Sequence, residues 1–265
     1  MSRARVGLGE AYVIADGMGG HNGGALAAEL TVNGIQQSLA APPPELTVVA
    51  AITRAFDEAN RIVYERAGSG DPETDGMGST ALLLLTSGSL AYVAHVGDSR
   101  AYLYRGRELR QLTTDHTRVQ RMVDAGMLSA EEARHHPEAS ILERAMGHRP
   151  HVEVDIGPAL ELREGGGILL CSDGLSGFVD DEGIEAVLRS EATVQEVADR
   201  LIELALERGG QDNVTVQFIQ YGERPEAHTD DNYRWYRLAA GVLRSLRRRA
   251  VQVKNAWHQI AKTSV

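Results

Sequence analysis

The stretch AYVIADGMGGHNGG, Ala11 to Gly24, runs an apolar segment into an aspartate and then places five glycines within eight residues. Tyr12, Val13, Ile14 and Ala15 are continuous and β-branched at the centre, which predicts a short buried strand. Asp16 ends it. Gly17, Gly19 and Gly20 then allow a sharp turn that brings backbone carbonyls close to a ligand. A carboxylate at the end of a buried strand, inside such a turn, suits a hard cation, although a turn-forming aspartate has the same local signature.

Two further aspartates share that setting. Asp173, in CSDGL, follows the apolar run Ile168 to Cys171, and Asp212, in GGQDNVTV, precedes Val214 to Ile219. In antiparallel neighbours a strand exit lies beside an entrance, so all three carboxylates are expected at one sheet edge. Asp115, in LTTDHT, closes a hairpin and is a fourth candidate. Clustered carboxylates without a Cys or His cage suit Mg²⁺ or Mn²⁺. Without a cation they would repel one another and some would protonate.

The 265 residues, 43% hydrophobic, are enough for one sizeable domain and a tail. The single cysteine, Cys171, sits in an apolar run, so no disulfide framework exists and a reducing compartment is expected. No signal-peptide pattern and no long uninterrupted apolar stretch is present, which predicts a cytoplasmic protein. The net charge of -10 conceals an asymmetry: residues 232–265 hold six Arg and two Lys and no acid, leaving 19 basic and 37 acidic residues elsewhere, or -18. An acidic body argues against nucleic acid as the main ligand and favours a site that collects divalent cations.

Helices are predicted over Ala25 to Leu39 and Glu45 to Arg66, the second with Val49, Ile52, Phe56, Ala59 and Val63 on one face. Strands are predicted over Thr80 to Leu85, Leu90 to Val96, Ala101 to Tyr104 and Glu108 to Leu112, a meander broken by Gly and Ser turns. Thr117 to Gly147 is polar and helical in texture, with a Ser129–Glu132 capping box, and reads as a flap beside the site. A strand over Gly165 to Ser172, a helix over Thr193 to Arg208 with a Thr193–Glu196 capping box, and a last strand over Asn213 to Ile219 complete the body. Strand runs interleaved with helix pairs predict an α+β fold of antiparallel sheets covered by helices.

Six motifs occur in order: DGMGGH, GMGST from Gly76, VGDSRAYLYR from Val96, LTTDHT, LCSDGL and GGQDNVTV. Together, from about Ala11 to Gln220, they resemble the bacterial form of the PP2C-type metal-dependent protein phosphatases. The resemblance implies a four-layer α-β-β-α sandwich, two antiparallel sheets flanked by helix pairs, that hydrolyses phosphoserine and phosphothreonine with a metal-activated water. By that resemblance Asp16 bridges two ions, the Gly17 carbonyl binds the second, Asp173 and Asp212 complete the first, and Asp115 with Asp173 matches a third. It further implies that Asn213 orients Asp212, that Asp98 and Arg100 are structural, and that His21 is a candidate general acid. His116, His135 and His136 read as surface or flap residues. The implied substrates are phosphoproteins of a Ser/Thr kinase, in bacterial signal transduction.

Members of that family carry an arginine and an Asn-Glu-Asp run some twenty residues ahead of the DGMGGH strand. Here fifteen residues precede Asp16, and Arg3, Arg5 and Glu10 match no family position. A phosphate-clamping arginine, a carboxylate supporting the second ion and one or two strands are thus expected to be missing. A start codon further upstream, a weak phosphatase, or an inactive pseudophosphatase serving as a signalling or scaffold module would each account for this. Residues 1–222 are read as the phosphatase-like domain, 223–231 as a linker and 232–265 as a tail. In the tail Trp235, Ala239, Val242, Leu246, Ala250, Val253, Trp257 and Ile260 recur at spacings of three and four, forming a basic amphipathic helix. Its expected contact is a partner protein, the acidic body, or an anionic membrane surface peripherally held.

Overall fold

The structure, a computed structural model, describes residues 1–19, 21–190, 193–210 and 212–222, and the side chains of His21 and Asn22 lie outside that set. The linker and tail assigned to 223–265 lie outside it too. Twelve strands and seven helices are described: β1 (Ser2–Val6), β2 (Gly9–Ile14), β3 (Gly17–Met18), α1 (His21–Ala40), α2 (Val48–Ala67), β4 (Gly78–Ser79), β5 (Ala81–Ser87), β6 (Leu90–Val96), β7 (Arg100–Arg105), β8 (Glu108–Gln111), α3 (Arg118–Asp124), α4 (Ala130–Arg134), β9 (Asp155–Ile156), β10 (Leu160–Glu161), β11 (Gly167–Cys171), α5 (Asp173–Ser176), α6 (Asp181–Arg189), α7 (Val194–Glu207) and β12 (Val216–Gln220).

Two antiparallel sheets carry the body. One has the order β1-β2-β5-β6-β10, with β9 also paired to β6; the other has the order β12-β11-β7-β8. The alternation of β5 explains its continuous apolar sequence. Leu83 and Leu85 face Ile35, Leu39, Ile52 and Phe56 of α1 and α2, while Leu82 and Leu84 face Ala101, Ile168 and Leu170 of the second sheet. With both faces covered, both alternating sets of residues are core. Tyr102, Leu169 and Phe218 of the second sheet bury Val187, Leu188, Val197 and Leu201 of α6 and α7 on its outer side. The layers therefore run helices, sheet, sheet, helices, as the motifs imply.

One or two strands of a central sheet were expected to be missing; beside the Asp16 strand one edge is occupied. β1 pairs with β2 along its length, from Ser2↔Val13 to Val6↔Gly9, so residues 2–6 cover that side. The flap is less helical than expected, with only α3 and α4 between its ends. Its base is closed where Thr117 bridges Leu142 and Arg118 N donates to Ile141 O at 2.9 Å. Among the described residues, no helix is long and apolar enough to cross a membrane.

Candidate metal centre

Asp16 follows β2 and is fixed by the strand beside it. Its N–H donates to Thr80 Oγ1 at 2.9 Å, and its carbonyl accepts from Thr80 N at 2.8 Å and Ser79 Oγ at 3.0 Å. Thr80 Oγ1 is itself 2.9 Å from Ser99 Oγ. The next residue is pressed against α1: a Cβ at Gly17 would stand 1.8 Å from Gly24 O, and a Cβ at Gly24 would stand 2.8 Å from Gly17 O. Two facing glycines are thus what lets β3 and the first turn of α1 meet.

On the second sheet Ser172 joins the exit of β11 to the approach of β12. Its Oγ donates to Asn213 O and accepts from Thr215 N, both at 3.1 Å, and its N–H donates to Thr215 O at 3.1 Å. Cys171 pairs with Val216 in the antiparallel ladder, so Asp173 and Asp212 fall on the same end of it. The exit-beside-entrance argument describes these two, but Asp16 arrives from the other sheet. The three carboxylates meet at one end of the sandwich and not at one sheet edge.

They line a cleft of about 260 Å³ together with Gly17, Asp98 and Asn213. Burial, and then the neighbouring Asp173 carboxylate, raises the pKa of Asp16 well above the carboxylate range. Asp173 is likewise raised, by burial first, with Asp212 adding to it. Burial and the charge of Asp173 push Asp98 up to about 7. Asp173 Oδ1 is buried and has no hydrogen-bond partner. Desolvated, crowded carboxylates with one unpaired acceptor oxygen are what a divalent cation would satisfy, so the donor set fits Mg²⁺ or Mn²⁺.

The remaining sequence candidates are placed differently. Asp115 does not line the cleft: Arg100 Nε donates to its Oδ1 and Oδ2 at 2.9 and 3.1 Å, and Nη2 to Oδ2 at 2.7 Å. The His21 side chain lies outside the described residues. His116, expected at the surface, is buried and stacked on His95, ring centroids 4.5 Å apart. These two converge with Asp155 within ligating distance of a common point. Yet His116 Nδ1 accepts from Gly97 N at 3.1 Å, which leaves the proton on Nε2, 3.2 Å from Asp155 Oδ2, while Arg144 holds Asp155 at 2.6 Å. A protonated nitrogen and an adjacent guanidinium make this a polar brace between the Gly97 turn and the far side of the flap. Cys171 is buried and its thiol is pushed up to about 12, which removes it as a nucleophile.

Sequence reasoning missed the opposite part of the lining: Ser140, Leu142, Glu143, Ala145 and His148, from the limb that returns from the flap. Nothing local marks them, because their place depends on Met146 pairing with Ser79, N to O at 2.8 Å and O to N at 3.1 Å. Among the described lining residues there is no Arg or Lys.

Residues 4–214 match the family model described as Protein phosphatase 2C. The serine/threonine protein phosphatase PstP of Mycobacterium tuberculosis is 42% identical over 207 residues, which cover 77% of this chain and 38% of that protein. The serine/threonine phosphatase stp of Listeria monocytogenes is 36% identical over 211 residues, 78% of this chain and 83% of that one. The chain thus spans well under half of the mycobacterial relative and most of the listerial one. Among solved structures, the S. agalactiae serine/threonine phosphatase superposes with a TM-score of 0.77 at 36% identity, covering 84% of this chain and 91% of that one. The catalytic domain of PstP in complex with 2 manganese ions gives 0.71 at 38% identity, covering 80% and 88%. With four-fifths of its length inside the family model and a sandwich that superposes on solved members, the chain belongs to the protein phosphatase 2C family.

Proposed function

We propose that this chain hydrolyses phosphoserine and phosphothreonine on proteins, with two divalent cations, Mn²⁺ or Mg²⁺, held by Asp16, Gly17 O, Asp173 and Asp212. The observation that carries the reading is the convergence of Asp16, Asp173 and Asp212 on one cleft, with Asp173 Oδ1 buried and unpaired. The relatives' names and the two manganese ions of the PstP structure support it. Two bound ions would supply an acidified water and neutralise phosphoryl oxygens. Asp16 would help hold them, its backbone tied to Thr80 and Ser79. Asp212, exposed, accepts from Asn213 N at 2.7 Å, which restrains its carboxylate. Asp115 is the donor proposed for a third ion, and Arg100 must share it. Substrates are phosphoproteins made by a Ser/Thr kinase, and the basic tail of 232–265 is proposed as a docking segment.

The absence of Arg and Lys among the described lining residues favours one rival, a module that binds phosphoproteins without turning them over. Turnover of 4-nitrophenyl phosphate and of a phosphothreonine peptide with Mn²⁺ separates the two. The phosphatase reading expects both, with Asp173→Ala and Asp212→Ala lowering kcat/KM at least about 10³-fold. Peptide binding without turnover establishes the rival.

A further inference from the structure

The geometry points to His148 as the general acid that protonates the leaving serine or threonine oxygen, an assignment that rests on the phosphatase reading above. The lining of the cleft divides by origin. Asp16, Asp98, Asp173 and Asp212 come from strand ends; the flap's return limb brings His148, the only histidine among the described lining residues. An alkoxide is a poor leaving group, and a positioned proton donor is the missing element of a site otherwise made of carboxylates.

The backbone around His148 is over-determined. Asn60, fully buried on α2, accepts from Gly147 N through Oδ1 at 2.8 Å and donates through Nδ2 to Arg149 O at 2.9 Å and Pro150 O at 3.3 Å. One buried amide therefore grips the chain on both sides of residue 148. Met146, two residues before, is stitched by both backbone groups to Ser79, whose hydroxyl also holds the Asp16 carbonyl. Gly147 takes φ +82, and a Cβ there would lie 2.4 Å from Val63 Cγ1. A loop held this firmly, with exposed His148 in the lining of the same cleft as Asp16, has the rigidity that proton transfer requires.

In the step, a bond forms between the attacking water oxygen and phosphorus while the bond from phosphorus to the seryl or threonyl oxygen breaks. That electron pair leaves with the side-chain oxygen, which takes the proton from the His148 imidazolium to give the free hydroxyl. The attacking water releases its proton to solvent, inorganic phosphate departs, and solvent reprotonates the imidazole.

Leaving-group dependence tests this in the full chain loaded with Mn²⁺. His148→Gln is expected to lower kcat/KM for a phosphoserine peptide about 10²-fold or more, and for 4-nitrophenyl phosphate, whose phenolate is stable unprotonated, less than about three-fold. Across aryl phosphates of rising basicity the decline in rate should steepen relative to the parent. Calorimetric Mn²⁺ affinity should stay within about two-fold, a readout of the carboxylate centre independent of turnover. Equal losses on both substrates, an undiminished rate on the peptide, or the selective pattern appearing in His21→Gln in place of His148→Gln would each overturn the assignment. A parent chain that hydrolyses neither substrate overturns the phosphatase reading and this role with it, and is recognised before any variant is made.

Discussion

Thr80 Oγ1 accepts from Asp16 N and sits within hydrogen-bond distance of Ser99 Oγ, so an isosteric side chain without the hydroxyl leaves a partly buried N–H unpaired beside the centre. Thr80→Val is expected to destabilise the fold by about 1–3 kcal/mol in a denaturant titration and to weaken Mn²⁺ binding, because Asp16 loses one of its three backbone ties. Asp115 has the opposite character. It and Arg100 are largely buried, side chains 12% and 21% exposed, and removing one partner strands the other charge. Asp115→Ala should therefore cost roughly 3–5 kcal/mol, measured as a fall in denaturation midpoint in metal-free buffer, before any question of a third ion arises. At this scale Asp16, Asp173 and Asp212 were legible because strand, aspartate and glycine are adjacent in sequence. Thr80, Ser172 and Asn60 were not, since each acts on backbone 40 to 90 residues away, a relation that no local pattern carries. His116 was misread for the same reason: its burial depends on stacking against His95.

Elements whose signals lie within one turn were readable. Both capping boxes, Ser129 with Glu132 and Thr193 with Glu196, form as expected, and β6 has its predicted ends. β9 and β10 escaped notice because two-residue strands exist only through pairing with β6, and α5 because it is a single turn after Asp173. The approach of α1 to β3 permits a test of element placement. Gly24→Ala puts a methyl 2.8 Å from Gly17 O, and the first turn must move away. The expected outcome is a loss of Mn²⁺ affinity of about ten-fold or more with retained far-ultraviolet circular dichroism, since only the local contact is displaced.

Across the whole molecule, carboxylates collected at one end of the sandwich tie stability to pH and metal. Asp98, raised to about 7, and the raised Asp16 and Asp173 bind more protons folded than unfolded. The stability these three groups contribute to the metal-free protein is then fully present below the unfolded pKa near 4 and is lost as pH rises through the folded values. A Tm measured in chelator should fall between pH 5 and pH 8, and saturating Mn²⁺ should flatten or invert that slope, because the cation replaces the protons. Antiparallel sheets covered by helices were legible from strand runs interleaved with helix pairs, and their four-layer order only through the resemblance carried by the six motifs; the covering of β2 by β1 was not, because Ser2–Val6 alternates Arg with small residues and gives little apolar signal.

Asp16 hangs from one sheet, Asp173 and Asp212 from the other; the interior between those sheets is apolar, crossed at its margins by Gln217 Nε2 donating to Ser2 O and Arg105 Nη2 to Glu161 O. Ions gripped by both act as a rivet through two plates. Pulled or warmed without the rivet, the layers keep only the apolar seam and those marginal ties, so the stripped protein should melt over a broader range than the loaded one, in stages and not as a unit.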